Sequence, residues 1–153
     1  MKHSVAVYAE PGLGGYRRGL APAARATLQH QRAETGSLTV LLTGAERMQT
    51  LNRTFLGADR PTDVLSFPAG EAAADTAGRY FGDLAICVPV AVRQAASRRR
   101  DPAGEIQLLV VHGVLHLLGL DHDTPARKRK MWRAQEEILR GLRKGKPGRG
   151  DAT

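Results

Sequence analysis

The sequence predicts an α+β domain, in which one small mixed sheet of about four strands is packed with about five helices. Three observations carry this reading. Strand-like and helix-like segments follow one another as β-α-β-α-β-β-α-α-α. The stretch 108–118 is apolar on almost every side (Leu108, Leu109, Val110, Val111, Val114, Leu115, Leu117, Leu118), as a helix at the centre of a domain would be. The chain has 153 residues, 42% of them hydrophobic, which suits one domain with a real core.

His3 to Tyr8 alternates around Val5 and Val7 and reads as the first strand. Pro11, Gly12, Gly14 and Gly15 make the turn after it. Pro22 suits the first turn of a helix that runs to about Ala33, and His30 on that helix has polar neighbours and reads as surface. Leu38 to Thr43 is the second strand. Gly44 to Phe55 reads as a helix with Met48, Leu51 and Phe55 on one face, broken by Gly57 and Pro61.

Thr62 to Phe67 is the third strand. Strand propensity does not account for Asp63, which either caps a neighbouring loop or faces an active site. Residues 69–79 hold few large apolar side chains and are expected to form a mobile loop. Tyr80 to Val88 is the fourth strand, and Pro89 starts a helix that ends in Arg98-Arg99-Arg100.

Asp101 as N-cap and Pro102 at the first helical position open the apolar helix, with Glu105 in the first turn, where the helix dipole favours an anion. Thr124-Pro125 starts the last helix by the same device. Met131, Ile138, Leu139 and Leu142 are expected to pack inward from it, with Trp132 near the edge as a core contact. Residues 1–143 then form a single domain, and 144–153 a disordered basic tail. No internal repeat is visible.

Three of the five histidines fall between His112 and His122. On a helix, His112 and His116 lie one turn apart, about 6 Å along the axis and on nearly the same face. Gly119 can take the left-handed turn of a helix end, so that the chain reverses and His122 returns as a third ligand. Three neutral imidazoles on a tetrahedral Zn2+ leave one position open, the pattern of catalytic rather than structural zinc.

His112-Gly-Val-Leu-His116-Leu-Leu-Gly-Leu-Asp121-His122 resembles the signature of the YbeY family, bacterial endoribonucleases of rRNA maturation. Leu51-Asn52, Asp59-Arg60-Pro61-Thr62-Asp63-Val64-Leu65-Ser66-Phe67-Pro68 and Gly82-Asp83-Leu84-Ala85-Ile86 resemble further blocks of the family, and Met131 with Glu136 or Glu137 resembles its last helix. The resemblance implies an α+β fold with a central, zincin-like metal helix. It also implies a zinc-dependent endoribonuclease, specific for single-stranded RNA, that acts in 16S rRNA 3′-end maturation and 70S ribosome quality control. Its partners would be the rRNA precursor and the ribosome or ribosomal proteins. The choice of RNA rests on the resemblance: the chain has only one Trp, three Tyr and three Phe on which bases could stack.

Departures from related patterns bear on the chemistry. Zinc proteases place a glutamate directly after the first histidine, and here that position is Gly113, which can take no proton. Asp121 is the remaining candidate, as base or as a carboxylate that orients an imidazole. Where the family commonly has an arginine after Phe55, this chain has Leu56, so Arg53 or Arg60 must supply a phosphate contact, with Arg98 and Arg99 as further candidates. Two other readings stay open: a ribosome-associated RNA-binding factor with structural zinc, and a zincin-like metallohydrolase or peptidase.

The bulk composition agrees. Net charge is +8, and residues 77–153 carry 15 basic against 8 acidic side chains, whereas residues 1–76 carry 8 against 7. A basic surface that shares its half of the chain with the histidines suits a polyanion. The single Cys87 cannot form an internal disulfide, and no run reaches the roughly 18–20 apolar residues of a membrane span, so a cytoplasmic protein is expected.

Overall fold

The computed structural model describes residues 1–70, 73–75 and 78–145. The strands are β1 (His3–Ala9), β2 (Gly36–Thr43), β3 (Val64–Pro68), β4 (Ala74–Asp75) and β5 (Gly78–Cys87). The helices are α1 (Leu20–His30), α2 (Ala45–Leu56), α3 (Val88–Ser97), α4 (Pro102–Leu117) and α5 (Pro125–Gly145), with one 3-10 turn at Gly14–Tyr16. The sheet runs β1-β2-β5-β3, with the short β4 also paired to β5. β1, β2 and β5 are parallel, placing Val7 beside Val40 and Val40 beside Leu84. β3 is antiparallel, with Val64 opposite Ile86. The sheet is therefore mixed, as the sequence implies.

The stretch expected as one loop at 69–79 contributes β4 and the start of β5; residues 71, 72, 76 and 77 lie outside those described. The strand begins early because Gly78 pairs with Asp75 in a ladder built from backbone groups, which needs no large side chains.

Alternation along the strands divides the apolar residues between two faces. Leu38, Val40, Leu42, Leu84 and Ile86 join α1, α4 and α5 in the main core. Leu65, Ala85 and Cys87 point the other way, to Met48 and Leu51 of α2. Phe55 corrects the expected inward face of that helix: it is 61% exposed and meets Phe67 of the edge strand at 5.2 Å between ring centroids.

Helix α4 is the central element. Ile106, Leu109, Val110, Val111, Val114 and Leu115 are buried among α1, α3, α5 and the sheet. Gly113 is what lets it lie so close. A Cβ built there would sit 2.7 Å from Leu84 Cδ2 of β5. At the start of the helix Asp101 takes the N-cap position without a side-chain hydrogen bond. Glu105 is fully buried, and Arg98 Nη1 donates to its carboxylate at 2.9 Å, with Arg100 Nη1 at 3.6 Å. The arginine run that closes α3 thus ties it to α4.

In α5, Met131, Ala134 and Ile138 are buried, and Leu139 and Leu142 pack against the main core. The helix takes in Lys144 and Gly145, the first residues of the expected tail; 146–153 lie outside the described residues.

Candidate metal centre

The site is built where α4 ends. His112 and His116 stand one turn apart with ring centroids 4.9 Å from each other. The helix closes as the sequence predicts. Gly119 has φ +95°, its N–H donates to the His116 carbonyl at 2.9 Å, and the Leu120 N–H donates to the Leu115 carbonyl at 3.0 Å. That pair of bonds satisfies carbonyls left over at the helix end and reverses the chain. Leu120 packs back on the core. Two residues on, His122 brings its ring to 5.3 Å from His116 and 6.0 Å from His112, centroid to centroid.

One nitrogen from each ring lies within 4.8 Å of the others. Tetrahedral zinc with bonds of about 2.0–2.1 Å holds its ligand atoms roughly 3.3 Å apart, a difference that modest side-chain rotation spans. The donor set suits a borderline-soft divalent ion, and the protonation balance suits it too. Burial pushes the His112 imidazole below its ordinary pKa, and the neighbouring His116 adds to this, against an opposing hydrogen bond that the ring donates to Gln135. Burial likewise lowers His116, with His122 adding to it and Asp121 opposing. Both rings therefore stay neutral and keep a lone pair for a metal.

Gln135 of α5 is a site residue that the sequence reading missed. Its Oε1 lies 3.2 Å from His112 Nδ1. In the tautomer that donates to this oxygen, Nε2 of His112 is the unprotonated nitrogen. Gln135, His112, His122, Lys128 and Trp132 line a cleft of about 340 Å³. Lys128, Trp132 and Gln135 recur one turn apart, which the sequence does display. That this stripe faces the histidines depends on how α5 packs on α4, which it does not.

The other expected residues are placed as follows. Asp121 accepts the backbone N–H of His122 at 2.7 Å, while its carboxylate is 3.9 Å from His122 Nδ1, beyond hydrogen-bond range. Asp63 takes the capping role of the two expected for it: it accepts the Val64 N–H at 2.8 Å and the Gln94 side-chain amide at 3.3 Å.

Arg60 is exposed, and its carbonyl anchors the buried Asn52 at 2.8 Å. Arg53 is paired with Asp59 at 3.3 Å. Arg98 is held by Glu105, and Arg99 is exposed with φ +54°. Both of these sit just before the N-terminal end of α4, roughly 21 Å of helix away from His116. Leu56 is 66% exposed. His30 is bonded to Glu137 at 2.9 Å, pinning α1 to α5, as a surface residue rather than a ligand.

Comparison with known proteins adds the family. The model of the family Endoribonuclease YbeY matches residues 16–143. The Endoribonuclease YbeY of Cutibacterium acnes is 40% identical over 136 residues, covering 85% of this chain and 88% of that protein. That of Thermobifida fusca is 40% identical over 147 residues, covering 92% and 95%. That of Moorella thermoacetica is 45% identical over 117 residues, covering 72% and 75%. Among solved structures, the solution structure of TM1509 from Thermotoga maritima superposes with a TM-score of 0.65 at 24% identity, over 90% of this chain and 88% of that one, a likeness of fold.

Proposed function

The chain belongs to the YbeY endoribonuclease family, and on that premise we propose that it is a zinc-dependent endoribonuclease, specific for single strands, acting in 16S rRNA 3′-end maturation and 70S ribosome quality control. Its working place would be the cytoplasm, on rRNA precursor and ribosomes. Among the described residues no helix is long and apolar enough to cross a membrane. The observation that carries the reading is the cluster of three imidazoles, of which His112 and His122 line a cleft and His112 and His116 are held below their ordinary pKa by burial.

His112, His116 and His122 would hold the ion, and zinc bound there supplies a Lewis acid for a phosphoryl oxygen and a lowered pKa for water. The rest is the work of the chain. Gln135 fixes the tautomer and tilt of His112. Asp121 holds the backbone of His122 and acts as a positioning residue. Arg60, which is exposed, is the first choice for a phosphate contact; Arg98 is already engaged by Glu105, and Arg99 lies at the opposite end of α4 from the histidines. A peptidase reading loses ground at Gly113, whose missing Cβ would point at Leu84 in the core, so that even a glutamate there would not project into the cleft.

Elemental analysis of the purified full chain, together with cleavage assays on single-stranded and duplex RNA, tests the proposal. The expected result is about one zinc per chain and cleavage of single strands that a chelator and His116→Ala both abolish, with far-UV circular dichroism unchanged. Cleavage that survives both treatments would refute it, and unfolding on chelation would favour a structural metal instead.

A further inference from the structure

We infer that the exposed Trp132 ring and the Lys128 ammonium form a nucleotide subsite beside the three histidines, where a base of single-stranded RNA stacks on the indole and its phosphate meets the ammonium. The inference rests on the endoribonuclease reading above. Trp132 is 56% exposed, although the same helix buries Met131 beside it completely. Single exposed apolar side chains are ordinary on protein surfaces. This one is marked out by its position, since it lines the same cleft as His112 and His122 and has Lys128 Nζ 5.5 Å from the ring centroid. The ammonium rides on a flexible four-carbon stem. It can swing to a phosphate while a base takes the face of the ring.

The surroundings select a polyanion. Arg127, Lys128, Arg129, Lys130 and Arg133 are all exposed, and no acidic residue intervenes between Asp123 and Glu136. A π-face set among cations is what single-strand binding requires, since every base can stack and every linkage is charged. A duplex keeps its bases stacked on one another and offers no free face to the indole.

Trp132 is the chain's one tryptophan, so its fluorescence reports this subsite alone. Rapid mixing of metal-loaded full-length protein with single-stranded oligouridine is expected to quench it saturably, and duplex RNA of equal length to leave it unchanged. Trp132→Ala should raise KM for single-stranded RNA by roughly 5- to 150-fold, the range for one lost stacking contact, with kcat little altered. Trp132→Phe should restore most of the loss, and both variants should keep the wild-type unfolding midpoint. Lys128→Ala should lower the salt dependence of binding by about one phosphate contact.

An unquenched tryptophan, or an unchanged KM in Trp132→Ala while the wild type cleaves RNA, would overturn the subsite and leave the endoribonuclease reading standing. Quenching by single strands in a wild type that cleaves none would uphold the subsite and sink that reading.

Discussion

Gly113→Ala tests whether the metal helix is seated as closely on the sheet as the geometry implies. The new Cβ would lie 2.7 Å from Leu84 Cδ2, 3.1 Å from Cδ1 and 3.4 Å from Cγ. Comfortable carbon contacts lie at about 3.5–4.0 Å, so one side must give way by close to 1 Å. Leu84 is fully buried in the main core and has little room to do so. Overpacking of this kind costs about 1–3 kcal/mol. Alanine returns about 1 kcal/mol through helix propensity. The expected net loss is about 1 kcal/mol, which for a domain of this size lowers Tm by about 2–4 °C.

Urea unfolding of the single and double variants separates the two effects. In a Leu84→Ala background the clash is gone, so Gly113→Ala should become stabilising by about 1 kcal/mol, a change of sign that a double-mutant cycle reads directly. If Gly113→Ala stabilises the wild-type background by the full propensity gain, α4 does not lie against Leu84 and the account of Gly113 fails. Gly113→Glu, which recreates the protease-like sequence, would press a carboxylate into the same core contact. It should cost more than about 3 kcal/mol without producing peptidase activity.

Four further outcomes are expected. Gln135→Ala should weaken zinc binding about 10- to 100-fold in chelator competition, with stability little changed, because it frees the His112 ring; unaltered affinity would remove Gln135 from the site. Gly119→Ala has open space around the added Cβ, so its cost, about 1 kcal/mol, comes from φ +95° alone, and it should reduce metal affinity by loosening the return of His122; affinity held at the wild-type value would show that the loop is set by other contacts. Arg98→Ala should destabilise the chain by about 1–3 kcal/mol, since it weakens the neutralisation of the buried Glu105, and a neutral effect in urea unfolding would mean that Arg100 suffices. In metal-free protein, His112 and His116 have lowered pKa values, so the unfolded chain takes up protons first as pH falls. Stability should then be full above about pH 6.5 and decline below it toward the lowered folded values, and a flat profile through this window would contradict the burial of the two rings.

How much of this was legible in the sequence follows from how local each determinant is. The helix period and one glycine at φ +95° put three imidazoles together, and all the information for that lies between His112 and His122. The apolar surroundings of α4 likewise announced a central helix, and the alternation of β1 and the β-rich composition of β2 announced strands. The partnership of Glu105 with Arg98 was not legible: it needs the corner between α3 and α4 to fold back before a first-turn carboxylate becomes a buried one. Gln135 was illegible for the same reason, and Trp132, expected as an edge contact of the core, is instead 56% exposed in the cleft, because their stripe on α5 has no meaning until α5 docks against α4.

Gly113 and Gly119 show the distinction at its sharpest. They lie in one helix and its cap, and the sequence writes both with the same letter. One is required by its own backbone angle, which a local pattern can display. The other is required by a leucine on β5, far away along the chain, and the sequence alone allowed only the reading that a proton acceptor was missing. A residue that in a protease would be judged by its chemistry is here decided by packing, and that packing holds the two helical histidines at their fixed height above the sheet.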